Sequence, residues 1–148
     1  MTEFLGVYID FKRTSPSAMT RLSVKIKPVA TDLATNGVLF IVACVRVEAY
    51  GDESAVRNID KTIFSGRSHE RIEGAAAIVR RLAQIASSAH SQIPGESYVS
   101  HLAKAIQLVN PNRPSFQIAG LALDIGRAAR EQQRFTHRST RIRSCATL

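Results

Sequence analysis

Between Ile72 and Ala86 the apolar side chains fall at Ile72, Ala75, Ala76, Val79, Leu82, Ala83 and Ala86. This three- and four-residue spacing places them on one stripe of an α-helix. Ser68 stands where an N-cap is needed, and Glu70 falls in the first turn, where a carboxylate suits the helix dipole. Pro94-Gly95 interrupts the pattern. A second helix is predicted behind Ser97, with Val99, Leu102, Ala105, Ile106 and Val109 on one face and Asn110-Pro111 as its stop. Behind Pro114, Ser115 caps a third that carries Ile118, Leu121, Ala122, Ile125 and Ala129 and extends from Phe116 to Arg134.

The first third of the chain has the period of a sheet. Leu5, Val7, Ile9 and Phe11 alternate with Phe4, Gly6, Tyr8, Asp10 and Lys12. Leu22, Val24 and Ile26 alternate in the same way with Arg21, Ser23, Lys25 and Lys27, and Thr14-Ser-Pro-Ser17 supplies turn chemistry between the two runs, so they read as a hairpin closed by Pro28. Val38 to Tyr50 is the longest strand-like run, apolar on both faces up to Val45 as in a central strand, then alternating through Arg46 and Glu48. Lys61 to Phe64 reads as a short fourth strand. The expected fold is α+β: an N-terminal antiparallel sheet of three or four strands followed by three helices packed on one face. Residues 1–134 form a single domain, and residues 135–148 a basic C-terminal tail.

A chain of 148 residues with 45% hydrophobic and 22% charged side chains has an ordinary globular composition. Its two cysteines make no disulfide framework, so a reducing, cytoplasmic setting is expected, with Cys44 packed as a small hydrophobe. The N-terminus has no secretory leader pattern, and the longest apolar run, Val38 to Val45, is far below the ~20 residues of a membrane helix. The last four residues, Cys145-Ala-Thr-Leu148, have the form of a prenylation box behind a basic run from Arg134 to Arg143.

Lys and Arg total 20 against 12 Asp and Glu, a net charge of +8. Residues 113–148 hold seven arginines against Asp124 and Glu131. Arg127, Arg130, Arg134, Arg138 and Arg141 would share one face of a continuous helix, with Arg143 beside them, and arginine suits bidentate contact with phosphate. Arg138 and Arg141 join that face only when a partner orders them. Lys25 and Lys27, with Arg21, would form a second basic patch on the sheet, next to Tyr8 and Lys12. Gly120 and Gly126, inside the third helix, suggest close approach of another helix and a homo-oligomer. The leading expectation is therefore a basic, non-enzymatic, self-associating protein that binds nucleic acid through phosphates. The alternative is a viral or phage matrix-like component assembling on anionic membrane.

For catalysis the residues offer less. His69, His90, His101 and His137 lack partners at metal-ligand spacing, and no glycine-rich phosphate loop is present, so no metal and no cofactor are expected. Asp10 with Glu70 or Glu73 supplies carboxylates, and His69 to Ala77 resembles the carboxylate-bearing helix of ribonuclease H-like nucleases. That resemblance implies a third function, magnesium-dependent nucleolysis. It departs from the pattern in having no Asp between Glu73 and Asp124.

Overall fold

The computed structural model describes residues 3–10, 12–43, 46–67, 69–87 and 98–146, with residues 98–100 and 133–146 as backbone only. In chain order the elements are β1 (Phe4–Asp10), α1 (Pro16–Thr35), β2 (Leu39–Ala43), β3 (Arg46–Asp52), α2 (Glu53–Thr62), β4 (Glu70–Glu73), α3 (Ala75–Ala86), α4 (Tyr98–Leu108) and α5 (Pro114–Ala146). The strands form one antiparallel sheet in the order β2-β3-β1-β4. The fold is α+β, as the sequence pattern indicates.

Residues paired across antiparallel strands project to the same side. Tyr8 pairs with Glu48 and Asp10 with Arg46, while Gly6 pairs with Tyr50, so the even-numbered positions of β1 and β3 share one face. On that face Leu39, Ile41 and Tyr50 pack with Ile78, Leu82 and Ile85 of α3, Leu102 and Ile106 of α4, and Ala119 and Ala122 of α5. Leu5, Val7, Ile9, Val47 and Ala49 cover the other face, against Met19, Leu22 and Ile26 of α1 and Val56 and Ile59 of α2. The three C-terminal helices thus lie on one face as expected, and two further helices close the opposite one.

Several expectations of local structure are corrected. Residues 21–27 belong to α1, not to a strand. Leu22 and Ile26 are buried one helical turn apart, with Met19 on the same stripe, whereas Val24 between them is 63% exposed. Ser15 is the N-cap, accepting from the Ala18 amide at 3.2 Å with Pro16 as the first helical residue, so the apparent turn is a helix start. Pro28 lies inside α1 and does not end it. Lys61 and Thr62 close α2, while Glu70–Glu73 is a strand, so the helix drawn from Ser68 begins only at Ala75.

The apolar strand β2 is also not central. It sits at the sheet edge, yet stays buried because α1 and α4 both pack on it. Finally, α5 continues through residues 135–146, beyond the end predicted at Arg134. Phe11, Cys44, Ser68, His90 and Ser97 lie outside the described residues.

Candidate functional site

The buried face under α3 carries charge. Glu48 is fully buried and its Oε1 receives three hydrogen bonds: from Arg81 Nη2 at 2.7 Å, from Arg81 Nε at 3.2 Å and from the Tyr50 hydroxyl at 2.8 Å. Arg81 Nε also donates to the Tyr50 oxygen at 2.9 Å, which closes a triangle. Tyr50 fits because its opposite residue is Gly6, where a β-carbon would stand 2.4 Å from the phenol ring. Burial, and then the neighbouring Glu48 charge, hold the Tyr50 hydroxyl well above its ordinary range, so it remains a neutral donor. Burial also opposes the charge of Arg81, but Tyr50 and Glu48 outweigh it and keep the guanidinium ionised.

The guanidinium carbon of Arg81 lies 3.3 Å from the centroid of the Tyr8 ring, a cation–π stack. Tyr8 and Arg81 line a cleft of about 330 Å³ together with Asp10, Lys12, Arg13 and Gln84, and Ile72 and Ile85 supply its apolar wall. Asp10 is buried at the end of β1 and accepts from the Lys12 amide at 3.1 Å and from Arg13 Nη1 at 3.3 Å. Arg13 Nη2 reaches across to Glu70 Oε1 of β4 at 2.7 Å. Among the described residues Lys12 has no ion-pair partner. Among its described lining residues the cleft therefore offers three cations beside the carboxylate of Asp10, with the Arg81–Glu48 ion pair beneath.

A second cluster lies beneath the opposite face. Asp60 of α2 accepts from Arg71 Nε at 2.6 Å and hydrogen-bonds His69 Nε2, while His69 Nδ1 faces the Arg67 carbonyl at 2.6 Å. Both imidazole nitrogens are engaged, so His69 anchors the start of β4 to α2 and to the segment before it. Burial, the largest influence on Asp60, pushes its carboxyl up, but the hydrogen bonds from Arg71 and His69 prevail and hold it below its ordinary range.

The arginines that the sequence singled out do not assemble into this site. Arg127 is exposed on α5, but Arg130 Nε donates to the Ala86 carbonyl at 2.5 Å, so it ties α5 to α3. Arg134, Arg138, Arg141, Arg143 and Cys145 lie on the helical backbone of α5, and their side chains are outside the described region. Lys25 and Lys27 are on α1, not on the sheet, and Lys25 Nζ donates to the Thr62 carbonyl at 3.4 Å. Gly126 meets Ala86 of the same chain, and a β-carbon on Gly120 would meet no neighbour within 4 Å among the described residues. The nuclease arrangement also fails, because Glu70 and Glu73 lie on strand β4 and not on the carboxylate-bearing helix that the resemblance requires, and Arg13 bridges Asp10 to Glu70. Among the described residues no three His, Cys, Asp or Glu side chains gather as a metal site, and no helix is long and apolar enough to cross a membrane.

Sequence reasoning missed Arg81 and the burial of Arg46 and Glu48. Arg81 follows Ile78 by three residues and precedes Ile85 by four, which puts it on the buried face of α3. That placement was the available signal.

An α+β domain with a charged cleft between sheet and helix is the class these observations define. No family model matches the chain. It is 44% identical over 136 residues to Protein nfe2 of Rhizobium meliloti, covering 91% of this chain and 44% of that protein, so it spans less than half of that relative's length. Among solved structures it is similar to glutamyl-tRNA reductase from Methanopyrus kandleri, with a TM-score of 0.68 and 19% identity over 89% of this chain and 35% of the reductase. At that identity the likeness is one of fold. These similarities point neither to a nucleic-acid-binding basic protein nor to a viral or membrane-assembling component, and the expectations drawn from the arginine stripe are corrected accordingly.

Proposed function

We propose that this chain is a substrate-binding domain that holds a small amino acid-type substrate in the cleft between β1, β4 and α3. The carrying observation is the pairing of opposite charges around about 330 Å³ of space: Lys12, Arg13 and Arg81 beside the buried carboxylate of Asp10. A cleft with one sign of charge would suit a simple anion, whereas this one complements a ligand bearing both an ammonium and a carboxylate. The reductase that shares the fold is named for a glutamyl substrate, which carries both groups. In this reading Lys12 meets the side-chain carboxylate, Asp10 the ammonium, and the Tyr8–Arg81 stack forms the floor. Because the chain matches 35% of the reductase's length, the reading assigns substrate holding to it and not the redox step.

Calorimetric titration with L-glutamate, glutarate and L-glutamine tests this. L-Glutamate, the ligand with all its charges, is expected to bind most tightly. Lys12→Ala should weaken it about tenfold, the worth of one charge-assisted hydrogen bond. Asp10→Asn should abolish the preference for glutamate over glutarate. Absence of saturable heat with all three ligands would overturn the proposal.

A further inference from the structure

On the far side of the sheet from the cleft, where β2 forms the edge, α1 and α4 flank a groove of about 180 Å³. Its floor is Phe40 and Val42 of β2, and its walls are Ala30 and Ala34 of α1 and Ala105 of α4. The hollow exists because three alanines stand where larger aliphatic side chains would fill it. An apolar cavity of about 150 Å³ is enough to take up a benzene ring, so this groove has room for one ring or a chain of about six carbons. At its rim Lys104 is exposed on α4, one turn from His101, and among the described residues Lys104 has no ion-pair partner. Among the described residues no carboxylate lines the groove.

We infer that this groove binds a small aryl carboxylate, with the ring between the alanines of α1 and α4 and the carboxylate toward Lys104. An apolar slot with a cation at its lip complements such a ligand in shape and charge. A neutral aromatic would gain only the burial, and a dianion would have no apolar part to bury. The site is separate from the charged cleft and does not depend on the function proposed for it.

The test uses the full chain titrated with phenylacetate and, as the neutral counterpart, benzyl alcohol, followed by NMR. Phenylacetate should bind saturably and perturb Ala30, Val42 and Ala105. Lys104→Gln should weaken phenylacetate about three- to tenfold and leave benzyl alcohol unchanged. Ala30→Leu, at a half-buried position, should fill the groove and abolish binding of both ligands, with a melting curve to confirm that the variant folds. Absence of saturable binding, or binding that survives Ala30→Leu, would overturn the inference. So would a wild-type dimer that Ala30→Leu dissociates, since the groove's occupant would then be a second copy of the chain.

Discussion

Gly126 of α5 lies so close to Ala86 of α3 that a β-carbon on it would stand 2.3 Å from the Ala86 β-carbon and 3.1 Å from its carbonyl carbon. The same carbonyl accepts from Arg130 at 2.5 Å, so the two helices are fixed together where α3 ends. Gly126→Ala gains about 1 kcal/mol of helix propensity but forces the helices apart, and the expected net loss is about 1–2 kcal/mol. Gly120→Ala, with no neighbour within 4 Å, should instead stabilise by up to about 1 kcal/mol. Urea unfolding of the two variants gives opposite signs if this packing is correct.

Arg81 and the fully buried Glu48 should behave as a unit. Arg81→Met removes the guanidinium from a buried carboxylate and should cost about 3–5 kcal/mol. Replacing both residues by Met should cost less than the sum of the two single changes. A double-mutant cycle by chemical denaturation measures that coupling.

The ion pair of Asp60 with Arg71, and its hydrogen bond with His69, make stability depend on pH. Its carboxyl is lowered in the folded state, so the contribution is complete above the unfolded value of 3.8 and is lost as pH falls through the folded value. Asp60→Asn should therefore destabilise at neutral pH by about 1–3 kcal/mol, and the gap to wild type should close as the solution is acidified below that range. Denaturation curves at a series of pH values check the sign.

Ser115 at the start of α5 donates to the Gly37 carbonyl at 2.6 Å, and the bond is buried. It ties the last helix to the turn between α1 and β2. Ser115→Ala should cost about 1–2 kcal/mol by leaving that carbonyl unpaired, whereas Ser115→Thr, which keeps the hydroxyl, should cost less. Thermal melts distinguish the two.

The helical second half was legible in the sequence because the three- and four-residue spacing of Val79, Leu82, Ala83 and Ala86 has one dominant reading, although the buried face of α3 is set by Ile78, Leu82 and Ile85, and Ala75 and Ala76 are exposed. The α1 segment was not, because Leu22, Val24 and Ile26 satisfy a period of two, and only the burial of Met19, Leu22 and Ile26 reveals the helix. The Ser15-Pro16 start was visible, but it read as a turn. The cleft was hidden for a different reason. Its residues come from β1, the segment after it, β4 and α3, and no local spacing brings Tyr8 to Arg81. Charge density along the chain drew attention to α5, whereas the charges that organise the core are the isolated ones, Glu48 and Arg81, inside apolar surroundings.

The central claim is that the cleft holds an amino acid-type ligand, and mapping the contact residue by residue tests it most directly. Amide resonances of isotope-labelled protein should be followed while L-glutamate is added at low ionic strength. The expected result is a saturable shift confined to Tyr8, Asp10, Lys12, Arg13, Arg81 and Gln84, which in Lys12→Ala needs about tenfold more ligand while the fold is retained. Unshifted resonances in those six residues at saturating ligand, or a titration that is unchanged in Lys12→Ala, would contradict it.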